Sequence, residues 1–175
     1  ISIIDKEKFK EEIMNASPAT KELKMRNNLK HTIKVGMDKN PDFYKPLAQR
    51  LDELLKMKKD ERITQTEFLI AMTSMQDEII EEQTEGEAKG FYTEQQRAVY
   101  NSMKVLFNED AEDATKTLFD LIKGELDIVG WQAKGRVQKD IENKIMRFLK
   151  TKLERNEAKT KAKEMVDVLI KNKDA

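Results

Sequence analysis

The chain has 175 residues, 33 Lys and Arg against 33 Asp and Glu, with 38% of residues hydrophobic and 38% charged. That is long enough to bury the core of one domain under an unusually charged surface. The lack of cysteine excludes a disulfide scaffold, a thiolate metal site and a cysteine nucleophile, and no apolar run approaches the roughly 18 to 20 residues that span a bilayer. With no signal-peptide core near its start, the chain is expected to be cytoplasmic, and its opening at Ile1 rather than Met reads as a piece of a longer protein. Lys, Glu, Leu, Met, Gln and Ala favour helix almost throughout, and β-branched runs are scarce.

In chain order, Asp5 to about Asn15 places Phe9, Ile13 and Met14 at helical spacing. Ser17 and Pro18 supply a cap and a first-turn proline for a second helix reaching about Asp38, with Leu29, Ile33 and Met37 on one stripe. Asn40-Pro41 stops and restarts the chain, because the residue before proline is pushed out of the helical region. A third helix carries Phe43, Leu47, Leu51, Leu54 and Leu55; Pro46 is tolerable if that helix effectively begins near Asp42 to Lys45. The charged joint Lys56 to Arg62 precedes a fourth helix opened by Thr64 or Thr66, with Phe68, Met72, Met75 and Ile79 inward.

The polar run "EEQTEGEAKG" reads as either a long solvated helix or a frayed loop, with Gly86 and Gly90 favouring the frayed loop. Thr93 followed by Gln96 is a capping box for a fifth helix with Ala98, Val99, Met103, Leu106 and Phe107 inward. A sixth, from about Asp110, is expected to bury Ala114, Leu118, Leu121 and Ile122 and to weaken at Gly124. "ELDIVGWQAKG" reads as extended or irregular and holds Trp131. A seventh helix, Arg136 to about Arg155, points Val137, Ile141, Ile145, Phe148, Leu149 and Leu153 inward, and an eighth, Glu157 to Lys171, uses Ala158, Ala162, Met165, Val166 and Leu169. The expected fold is all-α: a single irregular multi-helix bundle of about seven to eight amphipathic helices, one domain over 1–175, with a hinge near 56–64 and an irregular segment at 124–134.

Few constellations survive as chemistry. His31 is the only histidine and sits off its apolar stripe, so no Ser-His-Asp arrangement or histidine metal cluster can be assembled. Asn108 to Lys116 lacks the turn glycine and the bidentate terminal glutamate of a calcium loop. Pro41-Asp42 with Glu87-Ala88-Lys89 mimics the skeleton of a metal-dependent nuclease, yet that chemistry needs carboxylates converging from neighbouring strands. Between Ala133 and Lys163 there are eleven Lys and Arg against four Asp and Glu, whereas Gln76 to Gln95 has seven acids and one lysine. Two readings remain open: basic and acidic helices that face one another or merely keep the surface soluble, and a basic face for phosphate or an acidic protein partner.

The stretch "MRNNLKHTIKVGMDKNPDFYKPLAQRLDELL" resembles the opening of the C-terminal helical region of the motor and endonuclease (R) subunit of type I restriction-modification enzymes. The resemblance rests on Arg26, Leu29, His31, Asn40, Pro41, Phe43, Tyr44, Lys45, Leu47, Arg50 and Leu51, and later on Ile128, Trp131, Lys134, Arg136 and Val137, covering about Met25 to Ile170. Gly130 departs from the pattern, which has an aspartate before the tryptophan. The resemblance implies a parent with a nuclease domain and two motor lobes that use ATP and Mg²⁺, of which this piece would be a non-catalytic helical part holding no cofactor of its own. Its implied role is to dock the subunit onto the methyltransferase core, with the other R-subunit domains as further partners. Tyr44, Lys45, Arg50, Trp131, Lys134 and Arg136 are the candidate interface, although Trp131 reads equally as a core plug. The competing expectation is a DNA-contacting module that uses the basic helix 136–163 through Lys139, Arg147, Lys150 and Arg155.

Overall fold

A computed structural model describes residues 14–172. The described residues are helical or in turns, as the all-α expectation requires. The helix expected from Asp5 lies almost wholly outside the described residues. The α-helices are α1 (Pro18–Lys39), α2 (Pro41–Lys59), α3 (Gln65–Ala88), α4 (Glu94–Phe107), α5 (Ala111–Leu126), α6 (Gly135–Leu149) and α7 (Arg155–Lys171), with single 3-10 turns at Asn108–Asp110 and Trp131–Ala133. No helix among the described residues is long and apolar enough to cross a membrane.

The contacts group into two compact units, one of residues 14–35 and 44–82, the other of 36–43 and 83–172. The segment 56–64, where the sequence suggests a hinge, lies inside the first unit. It is closed by local bonds: Arg62 N–H donates to the Met57 carbonyl at 2.9 Å and Glu61 N–H to Lys58 at 3.2 Å, with Glu61 left-handed at φ 56°. That pair of bonds caps the end of α2 as a Schellman motif, so the charged joint is a formed turn. The unit boundaries fall within α1, α2 and the polar tail of α3.

In the first unit, steps of four and three bring Met25, Leu29 and Ile33 of α1, Leu47 and Leu51 of α2, and Phe68, Met72 and Met75 of α3 into the buried core. Gln65 donates to Glu22 at 3.2 Å and Gln76 to Asn28 at 3.4 Å, so α3 runs beside α1 in the same direction. Thr64 opens α3 reciprocally: its hydroxyl accepts from Glu67 N–H at 3.2 Å, and its own N–H donates to the Glu67 carboxylate at 2.7 Å. α2 starts at Pro41, earlier than expected, and Pro46 therefore lies inside the helix. The Pro46 ring nitrogen cannot donate to the Asp42 carbonyl, a local loss of one helical bond.

The second unit is a four-helix arrangement in which α4 packs on α5, α5 on α6, α6 on α7, and α7 closes back on α4. Its core includes Val99, Met103, Leu118, Ile122, Ile141, Ile145, Leu149, Ala158, Ala162, Met165 and Leu169. Two expectations are corrected. Residues 81–88 are helical, not frayed, because Gly86 leaves room for Arg97, whose Cδ a Cβ would meet at 2.5 Å. The helix ends at Gly90, left-handed at φ 88°, where Phe91 N–H donates to Gly86 at 2.8 Å and Gly90 N–H to Glu87 at 3.0 Å. Leu121, expected inside, is exposed, and α5 continues through Gly124 to Leu126.

Candidate functional site

The Asn40-Pro41 motif finds its partners within the second unit. Lys161 of α7 donates to both Asp42 carboxylate oxygens at 2.9 and 2.7 Å, and the buried Ser102 hydroxyl of α4 donates to the same carboxylate at 2.5 Å. Lys161 and Asp42 keep only 17% and 19% of their side-chain surface, so both charges of the pair are largely withdrawn from water. Asn172 at the end of α7 donates to the Lys39 carbonyl at 2.7 Å, and Lys39 reaches Glu94 at 3.2 Å. These bonds hold the joint between α1 and α2 to α4 and α7. Within the motif, Asp42 is thereby accounted for as a structural clip.

The candidate interface residues divide between the units. Tyr44, half-buried, Lys45, exposed, and Arg50 belong to the first. Arg50 makes a two-point bond to Glu78 at 2.6 and 2.8 Å, which holds its guanidinium even more firmly charged than usual. Trp131, Lys134 and Arg136 belong to the second. Trp131 is 4% exposed within the core cluster, so the structure chooses the core plug over the exposed anchor. What the same turn exposes instead is Ile128 at 38% and Val129 at 90%. Gly130, left-handed at φ 70°, turns the chain, and bonds from Trp131 N–H to Ile128 and from Lys134 N–H to Trp131 close the knuckle. Lys134 and Arg136, both exposed, follow immediately. Sequence reasoning read this stretch as irregular and weighed only Trp131 as its anchor, because no periodic pattern there separates an exposed apolar residue from a buried one.

The basic candidates of α6 resolve onto one face. At about 100° per residue, Arg136, Lys139, Arg147 and Lys150 fall within an arc of about 80° opposite Ile141, Ile145 and Leu149. All four are exposed; Arg155 starts the next helix across a tight turn. Lys139 is bonded to Glu142 at 2.8 Å.

A second polar network surrounds Tyr100, which donates to Glu85 at 3.0 Å; Lys104 meets the same carboxylate at 3.0 Å. Burial, then the Glu85 bond, pushes the Tyr100 hydroxyl up to about 12. For Glu85 burial is the largest single influence and works upward. The Lys104 bond and charge, with the Tyr100 bond and the charge of Lys89, outweigh it and leave the carboxyl below its ordinary value. His31 is exposed, and among the described residues no group of three or more His, Asp or Glu side chains is placed to hold a metal ion.

Comparison with protein-family models, curated proteins and solved structures finds no match to this chain.

Proposed function

We propose that this chain is a non-catalytic assembly module of a type I restriction enzyme R subunit, docking the motor and nuclease onto the methyltransferase core. The residues named above, from Arg26 to Val137, support the family. The observation that carries docking is the knuckle between α5 and α6, where Ile128 and Val129 project beside Lys134 and Arg136. Its base is closed by backbone bonds and plugged by Trp131, so little order has to be imposed when a partner covers it. An apolar tip with cations at its rim suits a partner pocket bordered by carboxylates. Trp131 then supports the contact from beneath.

Calorimetry of the chain against a purified modification-specificity complex, at low and high salt, tests the reading. Salt-tolerant binding weakened at least tenfold by Val129→Asp is the expected result. Equal binding by the variant, or no binding at all, overturns it.

A further inference from the structure

Eleven cations lie between Ala133 and Lys163, and the structure sorts them by what they meet. Lys139, Lys144 and Lys161 pair with Glu142, Glu125 and Asp42, and Lys152 lies over the Phe107 ring at 5.5 Å. The other seven, Lys134, Arg136, Arg147, Lys150, Arg155, Lys159 and Lys163, are exposed and meet no carboxylate among the described residues. Elsewhere in the unit Lys104 pairs with Glu85, and Lys89 and Lys116 both pair with Glu112, while Lys123 is exposed and meets no carboxylate among the described residues. Acidic helices therefore do not neutralise these basic ones, which was the simplest account of the uneven charge.

The unpaired cations are also ordered. Arg136, Arg147 and Lys150 share one face of α6, and Arg155, Lys159 and Lys163 recur every four residues on α7, again within about 80° of arc. The two helices pack against each other and are joined by a turn bonded from Lys150 to Met146 and from Leu153 to Leu149. From Arg136 to Lys150 the helix advances about 21 Å, a length over which a DNA duplex presents about a dozen phosphates. Phe148, the one aromatic in α6 and α7, is turned inward and stacks on Phe107 at 5.5 Å, so it is not placed for base stacking.

We propose that the exposed cations of α6 and α7 bind the phosphate backbone of duplex DNA without reading its base sequence. The face shares Arg136 with the rim of the Ile128–Val129 knuckle, but Arg147 and Lys150 lie at the far end of α6 from Val129, and the inference does not depend on the docking reading. About five phosphate contacts give a slope of about −4.5 in log affinity against log salt, a loss of about 500-fold between 50 and 200 mM.

The test titrates the 175-residue chain with a fluorescent 20-base-pair DNA duplex of arbitrary sequence over that salt range. The variants are Arg147→Glu with Lys150→Glu, Val129→Asp, and Lys116→Ala as a cation that is paired in the parent. The expected result is a steep salt slope, at least tenfold weaker binding by the double variant at unchanged helicity, and no change with Val129→Asp or Lys116→Ala. Arg147→Ala alone should lower the slope by about one. Absence of duplex binding at 50 mM salt, indifference to the double variant, or tighter binding of duplex RNA, single-stranded DNA or polyglutamate overturns the proposal. Failure of Val129→Asp to weaken the modification-specificity complex would count against docking alone.

Discussion

Asp42 shows how one side chain can decide a joint. Its carboxylate accepts from Lys161, 119 residues away, and from Ser102, and both donors are largely withdrawn from water. Removing one partner of such a pair leaves the other charge uncompensated, so Asp42→Ala should cost about 2 to 4 kcal/mol in denaturant unfolding. Asp42→Asn, which still accepts from Ser102, should cost less. Equal, negligible losses for both would show that the clip does not hold the fold. Tyr100 gives a pH prediction. Its hydroxyl ionises at about 12 in the folded chain against 10.0 for a free tyrosine, so the folded state favours the protonated form. The contribution is therefore whole below 10.0 and is lost as pH rises towards 12. Absorbance titration should show one late-ionising tyrosine that disappears in Tyr100→Phe. For Glu85 the sign is opposite: its depressed carboxyl contributes above the ordinary carboxylate range and ceases to do so on acidification.

Among elements, the helix ends offer the cleanest comparisons. Glu61 and Gly90 both occupy left-handed positions that close Schellman caps, but only Gly90 is the residue type that suits one. Gly90→Ala should destabilise by about 1 kcal/mol, all of it backbone strain, because a Cβ there meets nothing within 4 Å. Glu61→Gly should be neutral or stabilising by about 0.5 kcal/mol, since relief of strain exceeds the added freedom of the unfolded chain. Gly124 sits inside α5 with open space around it, so Gly124→Ala should stabilise by about 0.5 to 1 kcal/mol. Thermal unfolding of the three variants checks the set. A loss of stability at Gly124→Ala would mean that its surroundings are not as open as described. Helix ends with local chemistry were legible in advance, as Thr93 and Gln96 illustrate: Gln96 N–H donates to Thr93 at 3.1 Å and Thr93 N–H to Gln96 at 3.1 Å. The end of α3 was misread because Gly86 looks like a breaker until Arg97, eleven positions on, is seen to need its space.

On the scale of the whole molecule, the second unit holds the larger contiguous apolar cluster, with Met103, Leu118, Ile122, Ile145 and Leu149 at 0% exposure. Local opening is least favourable where buried apolar contact is densest. Amide hydrogen exchange should therefore be slowest in α4 to α7, and slower at Leu118 and Ile145 than at Leu29 or Leu51 in the first unit. The opposite order would mean that burial in the second unit does not translate into stability. Leu149→Ala should cost about 2 to 5 kcal/mol, as for other fully buried leucines. The surface carries a different lesson. Formal charge sums to zero, yet seven exposed cations that meet no carboxylate among the described residues follow one another along α6, α7 and the residues beside them.

The sequence by itself determined the helical class, the starts of α1, α3 and α4, and most inward stripes, because capping and the 3.6-residue period act within a few residues of the chain. It also located the basic region, since charge density is a matter of composition. Only the tertiary structure decided that Trp131 is a plug while Val129 is exposed, that Asp42 belongs to Lys161, and which cations go unpaired. Those outcomes depend on side chains brought together from distant positions, where burial and pairing compete for the same groups, and no local pattern records which of them wins.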